Sequence, residues 1–129
     1  MAEMSNFLEN ALVNATLRNT TYTSPATVYV ALFTSDPTDT GTGGTEVTGG
    51  SYARTSVTFA APSNGASASS ADCTFPTCTS TWGTVSHIGI FDASTAGNLL
   101  YHTPLDTSKT IETGDIFKIA SGSLTVTLA

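Results

Sequence analysis

Two histidines and two cysteines are the residues of this chain whose chemistry first suggests catalysis or metal binding. His87 follows Ser86 directly, and neighbouring residues of a strand point to opposite faces, so we do not expect these two side chains to form a catalytic pair. His87 and His102 fall in two strands predicted to form one hairpin, where they could face each other across the ladder. The sequence therefore predicts structural or interface histidines, no catalytic residue and no enzyme activity.

Cys73 and Cys78 bracket the tetrapeptide TFPT. Two cysteines cannot complete a zinc site alone, and their spacing is not the CxxC of a metal knuckle or a redox motif. In a straight strand the two side chains would point to opposite faces, whereas a turn at Phe75 and Pro76 could bring them within disulfide distance. Both states stay open at this stage, and free thiols are favoured.

Thr34–Arg54, TSDPTDTGTGGTEVTGGSYAR, is rich in glycine, threonine and acids. Its glycines match neither the Walker loop, which needs a lysine followed by Ser or Thr, nor the dinucleotide fingerprint. Asp36, Asp39 and Glu46 could offer oxygen atoms to a calcium ion, but their spacing differs from that of an EF-hand loop. Asp36 before Pro37 is typical of a turn. We therefore expect no metal ion and no cofactor here.

We interpret residues 34–53, called the glycine-rich loop below, as a docking arm that becomes ordered on a neighbouring subunit. A loop longer than about 12 to 15 residues in a compact domain is usually functional or disordered. Tyr52 and Arg54 close it with groups that often anchor interfaces. Trp82 lies beside a glycine and is predicted as a core or edge anchor, with sugar stacking as the alternative. The predicted partner-binding residues are Asp36, Asp39, Glu46, Tyr52, Arg54 and Trp82.

One short amphipathic helix is predicted at residues 5–19, with Ser5 as its N-cap and Arg18 near its C-terminus. Two alternatives stay open for this helix: packing on the chain's own sheet, or packing on a partner subunit. The predicted apolar face consists of Phe7, Leu8, Ala11, Leu12 and Ala15.

Strands are predicted at residues 28–33, 54–59, 84–92, 99–105, 116–119 and 124–128, and a loop without periodicity is predicted at 60–71. The first of these strands, VYVALF, is apolar on both faces, which is typical of a strand covered on both sides, and we expect it to be central. The pattern indicates a mainly β fold. We predict a single domain over residues 1–129, a β-sandwich or partly open barrel with one N-terminal amphipathic helix.

Charge and composition exclude several classes of partner. The net charge is −6 and only 11% of the residues are charged, so we expect no binding to nucleic acid. No stretch approaches the 18 or more apolar residues of a membrane span, and the N-terminus, MAEMSNFLEN, lacks the positive charge of a secretory signal, so we expect a soluble protein without a membrane partner. A surface of Thr, Ser and Gly is suited to being covered by neighbouring subunits, because burying these residues costs little side-chain entropy.

Several sequence blocks follow one another along the chain: LENALVNATLRNT, ALFTSDPT, EVTGGSYAR, TFPT, WGTVSHIGIFDA and GNLL. Together they resemble a family of small virion structural proteins of tailed bacteriophages, often labelled tail-fibre-like. The resemblance covers nearly the whole chain. Similar small β proteins serve tailed phages as capsid decoration, or cement, subunits. The resemblance implies a non-enzymatic structural protein of the virion.

From this resemblance we expect a decoration protein that stabilises the head by binding the outer surface of the major capsid protein shell. By analogy with other decoration proteins, it would also bind copies of itself as a homotrimer. The alternative is a tail fibre or baseplate-tip protein that binds a host surface glycan through exposed aromatic residues such as Trp82 and Tyr52. The shortness of the chain and the lack of a coiled-coil pattern favour the decoration protein.

Overall fold

The computed structural model describes residues 2–128, which hold one helix and nine strands. The fold is mainly β with a single N-terminal helix, as predicted, and the sheets of the described chain are open rather than closed into a barrel. The elements are β1 (Glu3–Met4), α1 (Asn6–Leu17), β2 (Val28–Phe33), β3 (Thr55–Val57), β4 (Ala66–Ala68), β5 (Cys73–Thr74), β6 (Gly83–Phe91), β7 (Leu99–Ile111), β8 (Lys118–Ile119) and β9 (Thr125–Thr127).

The main sheet is antiparallel and has the order β1-β7-β6-β2-β3. The predicted hairpin is confirmed as β6 and β7. The prediction that VYVALF is the central strand is wrong, because β6 occupies the centre and β2 lies beside it. β7 also continues to Ile111, beyond its predicted end at Leu105. Its second half is polar and mostly exposed, so no apolar periodicity marked it.

Two small antiparallel sheets complete the fold, one made of β4 and β9 and the other of β5 and β8. β4 lies inside residues 60–71, where we predicted a loop, so that prediction is wrong over Ala66–Ala68. This strand contains only Ala and Ser, which give no alternating apolar pattern. Its pairing with β9, far along the chain, creates the strand.

The main sheet is covered on both faces. Alternate residues of β2 and β6, such as Val30, Leu32 and Ile88, join the larger core. Phe75, which follows β5, and Phe117, which precedes β8, belong to the same core. The opposite face carries a second cluster of Ala31, Phe33, Phe91 and Leu99. Burial on both faces explains why VYVALF is apolar throughout.

Helix α1 begins after Ser5, whose Oγ accepts a hydrogen bond from the Leu8 backbone N–H at 3.2 Å, as expected for an N-cap. The Ser5 hydroxyl also donates to the Leu99 carbonyl, which fastens the start of the helix to β7. Of the predicted apolar face, only Leu8 is fully buried, and Phe7 is 42% exposed. The helix therefore contacts its own sheet at β7, while a partner on its remaining surface stays a prediction.

Within residues 2–128, no helix has both the length and the apolar character needed to cross a membrane.

Candidate functional site

The glycine-rich loop is folded onto the chain's own sheet. Val47 N–H donates to the Leu32 carbonyl and Thr34 N–H to the Thr45 carbonyl, each at 2.9 Å, so the loop's second half pairs beside the end of β2. Pro37 is buried. The expectation that the loop becomes ordered only on a neighbouring subunit is therefore wrong, because its own backbone hydrogen bonds and its buried proline already hold it.

The first half of the loop is a turn, as Asp36 and Pro37 indicated. The Asp36 carboxylate accepts the Thr38 N–H at 2.8 Å, and the Gly43 N–H donates to the Pro37 carbonyl at 2.9 Å. At Gly44 a Cβ atom would lie 2.5 Å from the Ser35 carbonyl oxygen, so only glycine fits this close approach.

Glu46 and Arg54 are joined across the base of the loop by two parallel hydrogen bonds of 2.9 Å. The guanidinium also donates to the carbonyls of Ala93 and Ala96, at 3.1 and 2.7 Å, and lies 3.8 Å above the centre of the Phe91 ring. Only 8% of the Arg54 side chain is exposed. Arg54 thus connects the glycine-rich loop to the turn between β6 and β7.

Tyr52 extends the same network into the core. Its hydroxyl accepts the Leu32 N–H at 3.0 Å and donates to Glu46 Oε2 at 2.6 Å. Burial of the phenol, followed by its hydrogen bond to Glu46, raises the Tyr52 pKa well above its usual range. The ring packs edge-on against Trp82, with 5.5 Å between the ring centres.

Trp82 is a buried core residue, which was one of the two interpretations of its sequence context. It is 5% exposed, and its indole N–H donates to the Gly50 carbonyl at 2.9 Å. Its ring is therefore not presented to solvent for stacking on a sugar.

The two remaining predicted residues, Asp36 and Asp39, lie in a different place, around the buried side chain of His102. Asp39 Oδ1 is 2.8 Å from His102 Nε2, and Asp36 Oδ1 is 3.8 Å from His102 Nδ1. Glu3 of β1 approaches the same imidazole, with its Oε2 atom 3.9 Å from Nε2. The sequence analysis missed this cluster, because Asp39 and His102 are separated by 63 positions and no local motif links them.

His87 is placed differently from the prediction. It pairs with Pro104, while His102 pairs with Gly89, so the two histidines do not face each other. The strand register shifts between Val85 and His87, and the Ser86 hydroxyl lies 2.8 Å from His87 Nδ1. The expectation that adjacent strand positions keep these side chains apart is therefore wrong. Among the described residues no carboxylate forms an ion pair with His87, so the arrangement lacks the orienting acid of a catalytic triad.

Both cysteines are buried free thiols, the state that the sequence favoured. Burial raises the pKa of the Cys73 thiol to about 11. A thiol that stays protonated at neutral pH is a poor nucleophile and a poor metal ligand. Cys73 therefore acts as a small core residue.

The outer surface of the glycine-rich loop is formed mainly by the side-chain hydroxyl groups of threonine and serine. Its exposed positions include Thr38, Thr40, Thr42, Thr48 and Ser51, together with the two aspartates at His102. Glu46, Tyr52, Arg54 and Trp82 lie mostly beneath this surface and hold its shape. Direct partner binding by the six predicted residues stays a prediction.

A second surface runs along the polar half of β7. An open groove of about 770 Å³ separates this half-strand from residues 116–125. The groove is lined by Pro104, Leu105, Lys109 and Lys118, and by Ile116, which is 56% exposed. Its lining combines apolar residues with Lys109, Lys118 and Asp106, which makes it a second candidate contact surface.

Comparison with known proteins gives one family. The family model described as "Gp80: Podophage GP4 fiber I protein gp80" matches residues 3–127, which include every strand, the helix and the glycine-rich loop. No curated protein matches the chain.

Proposed function

The chain belongs to the podophage GP4 fiber I protein gp80 family, and from this membership we propose that it is a non-enzymatic structural subunit of a bacteriophage fibre. In this role it is held in the virion by contacts with neighbouring protein subunits. The observation that carries the proposal is the family match over residues 3–127, because it spans the whole described fold.

The glycine-rich loop supports a role in subunit contacts. Glu46, Tyr52, Arg54 and Trp82 fix the loop from beneath, so its outer hydroxyl groups form a surface that is ordered before a partner arrives. A preorganised surface loses less conformational entropy on binding than a flexible arm. Asp36 and Asp39, each more than half exposed, add negative charge at one end of this surface.

A capsid decoration protein is the second candidate. The observation that favours it is the short length of the helix and strands. The helix of the described chain has 12 residues and no strand is longer than 13 residues. No described segment therefore resembles a fibre shaft. In this version the subunit binds the outer surface of the major capsid protein, as a homotrimer, and stabilises the head because it binds only the assembled shell.

The copy number in purified virions distinguishes the two candidates. Quantitative mass spectrometry with isotope-labelled peptides of this chain is expected to give a few to a few tens of copies for a fibre at the tail, and hundreds of copies for a head decoration protein. Labelling with gold-conjugated antibody then locates the subunit on the particle. Absence of the chain from purified virions would contradict both candidates.

A fibre tip that binds a host glycan makes a further prediction of its own. The purified protein would compete with phage for adsorption to host cells, whereas a subunit that only contacts other virion proteins would not. Because Trp82 is buried, such glycan binding would have to use other residues.

The loop surface can be tested with a matched pair of variants. Thr48→Arg places a bulky charge on the exposed face of the glycine-rich loop, and Ser63→Arg places the same group on an exposed turn elsewhere. When each gene is supplied in trans to phage lacking its own copy, we expect Thr48→Arg to be lost from the virions and Ser63→Arg to be retained. Equal incorporation would show that the loop surface is not a subunit contact.

A further inference from the structure

We propose that Glu3, Asp39 and His102 form a binding site for a divalent transition-metal ion, with Zn²⁺ as the expected occupant. The three residues come from β1, the glycine-rich loop and β7. Their ligand atoms all lie within 4.8 Å of one another. Imidazole nitrogen and carboxylate oxygen are both ligand types that zinc accepts in proteins.

The distances suit an ion placed between the three side chains. Zinc binds nitrogen and oxygen ligands at about 2.0–2.2 Å, which sets two ligand atoms of a tetrahedral site about 3.4 Å apart. His102 Nε2 lies 2.8 Å from Asp39 Oδ1 and 3.9 Å from Glu3 Oε2, so the two separations lie on either side of that value. Small rotations of two exposed carboxylates are enough to complete the geometry. The fourth position stays open for water.

The second ring nitrogen of His102 also has a carboxylate nearby, although the two are not within hydrogen-bond distance. A ligating histidine commonly directs its other N–H toward a carboxylate, which fixes the tautomer and the ring orientation. Asp36 Oδ1 lies 3.8 Å from Nδ1, and the Asp36 carboxylate is itself held by the Thr38 N–H at 2.8 Å. Asp36 approaches Nδ1, whereas Glu3 and Asp39 approach Nε2, so Asp36 is not one of the three proposed ligands.

The backbone around the ligands is already fixed. Glu3 and His102 are direct partners in the β1–β7 ladder. The Ser5 N–H donates to the Leu100 carbonyl and the Asn6 N–H donates to the Asp39 carbonyl, each at 2.9 Å. His102 is 6% exposed. Binding therefore needs no refolding, only the side-chain rotations described above.

The charge of the cluster also favours a cation. Three carboxylates surround one imidazole, and the Lys and Arg ion pairs of residues 2–128 are made elsewhere, between Arg54 and Glu46 and between Lys118 and Asp72. A divalent ion would neutralise this local excess of negative charge. It would also join the N-terminal strand, the glycine-rich loop and β7 at one point.

The test begins with the full chain freed of metal by EDTA and dialysed. Titration with ZnCl₂ in an isothermal calorimeter is expected to show one ion bound per chain. Because the chain has two histidines, NMR of the imidazole protons gives a site-specific readout: the His102 signals should shift on Zn²⁺ addition and the His87 signals should not. Saturating Zn²⁺ should also raise the melting temperature by about 5 °C.

Variants identify the ligands. Glu3→Gln changes a side chain that is 73% exposed, so it should leave the fold intact and weaken Zn²⁺ binding about tenfold or more. Glu9→Gln, on the exposed surface of α1, and His87→Gln are the matched controls and should bind Zn²⁺ like the wild type. Asp39→Asn should weaken binding at least as much as Glu3→Gln.

Three results would overturn the site. The first is no stoichiometric Zn²⁺ binding by the wild type. The second is wild-type affinity in both Glu3→Gln and Asp39→Asn. The third is a Zn²⁺-induced shift of the His87 signals in place of the His102 signals.

Discussion

The guanidinium of Arg54 binds the carboxylate of Glu46 through two hydrogen bonds of 2.9 Å, and this pair closes the glycine-rich loop at its base. The same guanidinium donates to two carbonyls of the turn that joins β6 to β7. One side chain thus links two loops that are far apart in sequence. The contact surface proposed for subunit binding depends on this link, because the loop's exposed hydroxyl groups lie above it.

Replacing Arg54 with Lys should destabilise the protein by about 2 kcal/mol, because lysine keeps the positive charge but cannot form the parallel hydrogen bonds or reach both carbonyls. Urea unfolding followed by circular dichroism measures the change. Lys118→Gln is the control: the Lys118–Asp72 pair is 3.8 Å apart with both side chains about half exposed, so its loss should change stability by less than about 0.5 kcal/mol. Equal effects in the two variants would contradict the role given to Arg54.

Tyr52→Phe should cost about 1–3 kcal/mol of stability, because it leaves the buried Leu32 N–H without its acceptor and removes the hydroxyl that donates to Glu46. The same urea unfolding experiment applies. Tyr29→Phe is the matched control, since the Tyr29 hydroxyl forms no side-chain hydrogen bond among the residues described. A Tyr52→Phe variant as stable as Tyr29→Phe would show that the hydroxyl contributes nothing.

Gly50→Ala should unfold or strongly destabilise the protein, by more than about 3 kcal/mol, because the added Cβ would lie 2.2 Å from the Ser80 carbonyl oxygen and 2.7 Å from Trp82 Nε1. Gly49→Ala is the neighbouring control. Both glycines have a positive φ, but a Cβ at Gly49 would meet nothing within 4 Å. Gly49→Ala should therefore cost only about 1 kcal/mol from backbone strain. Thermal unfolding compares the two, and similar melting temperatures would contradict the close approach at Gly50.

Stability should fall in alkaline solution in a way that depends partly on Cys73. Burial raises its pKa from the ordinary 9.0 to about 11 in the folded chain, so the folded state holds the thiol proton more tightly than the unfolded state. The resulting stabilisation is complete below pH 9 and is lost as the pH rises toward about 11, by about 2 kcal/mol. Tyr52, whose pKa is also raised, contributes in the same direction at still higher pH.

The contribution of the Cys73 thiol can be measured by comparing variants. For each variant the free energy of unfolding is determined in urea at pH 8 and at pH 10.5. Cys73→Ala should lose less stability between the two pH values than the wild type does. A Cys73→Ala variant with an unchanged pH dependence would show that this thiol does not titrate as described.

The elements with strong local signals could be predicted from the sequence. β2 has the predicted bounds because its apolar residues are contiguous and bounded by polar ones, and Ser5 caps α1 because a serine before an apolar helical pattern is a local signal. β4 and the second half of β7 could not be predicted, since Ala, Ser, Thr and Lys show no apolar periodicity there. Those segments are extended because distant strands pair with them.

The candidate functional residues show the same contrast between features set by local sequence and features set by distant contacts. The sequence by itself determined the mainly β class, the N-terminal helix and the family blocks, because each depends on residues close together in the chain. Only the tertiary structure decided that Arg54 and Tyr52 face inward, that Trp82 is buried, and that Asp39 meets His102 across 63 positions. The physical reason is that Asp39, Tyr52, Arg54 and Trp82 lie in loops outside the strands. Their partners are therefore set by how those loops pack on the assembled sheet, which no single segment of the sequence determines.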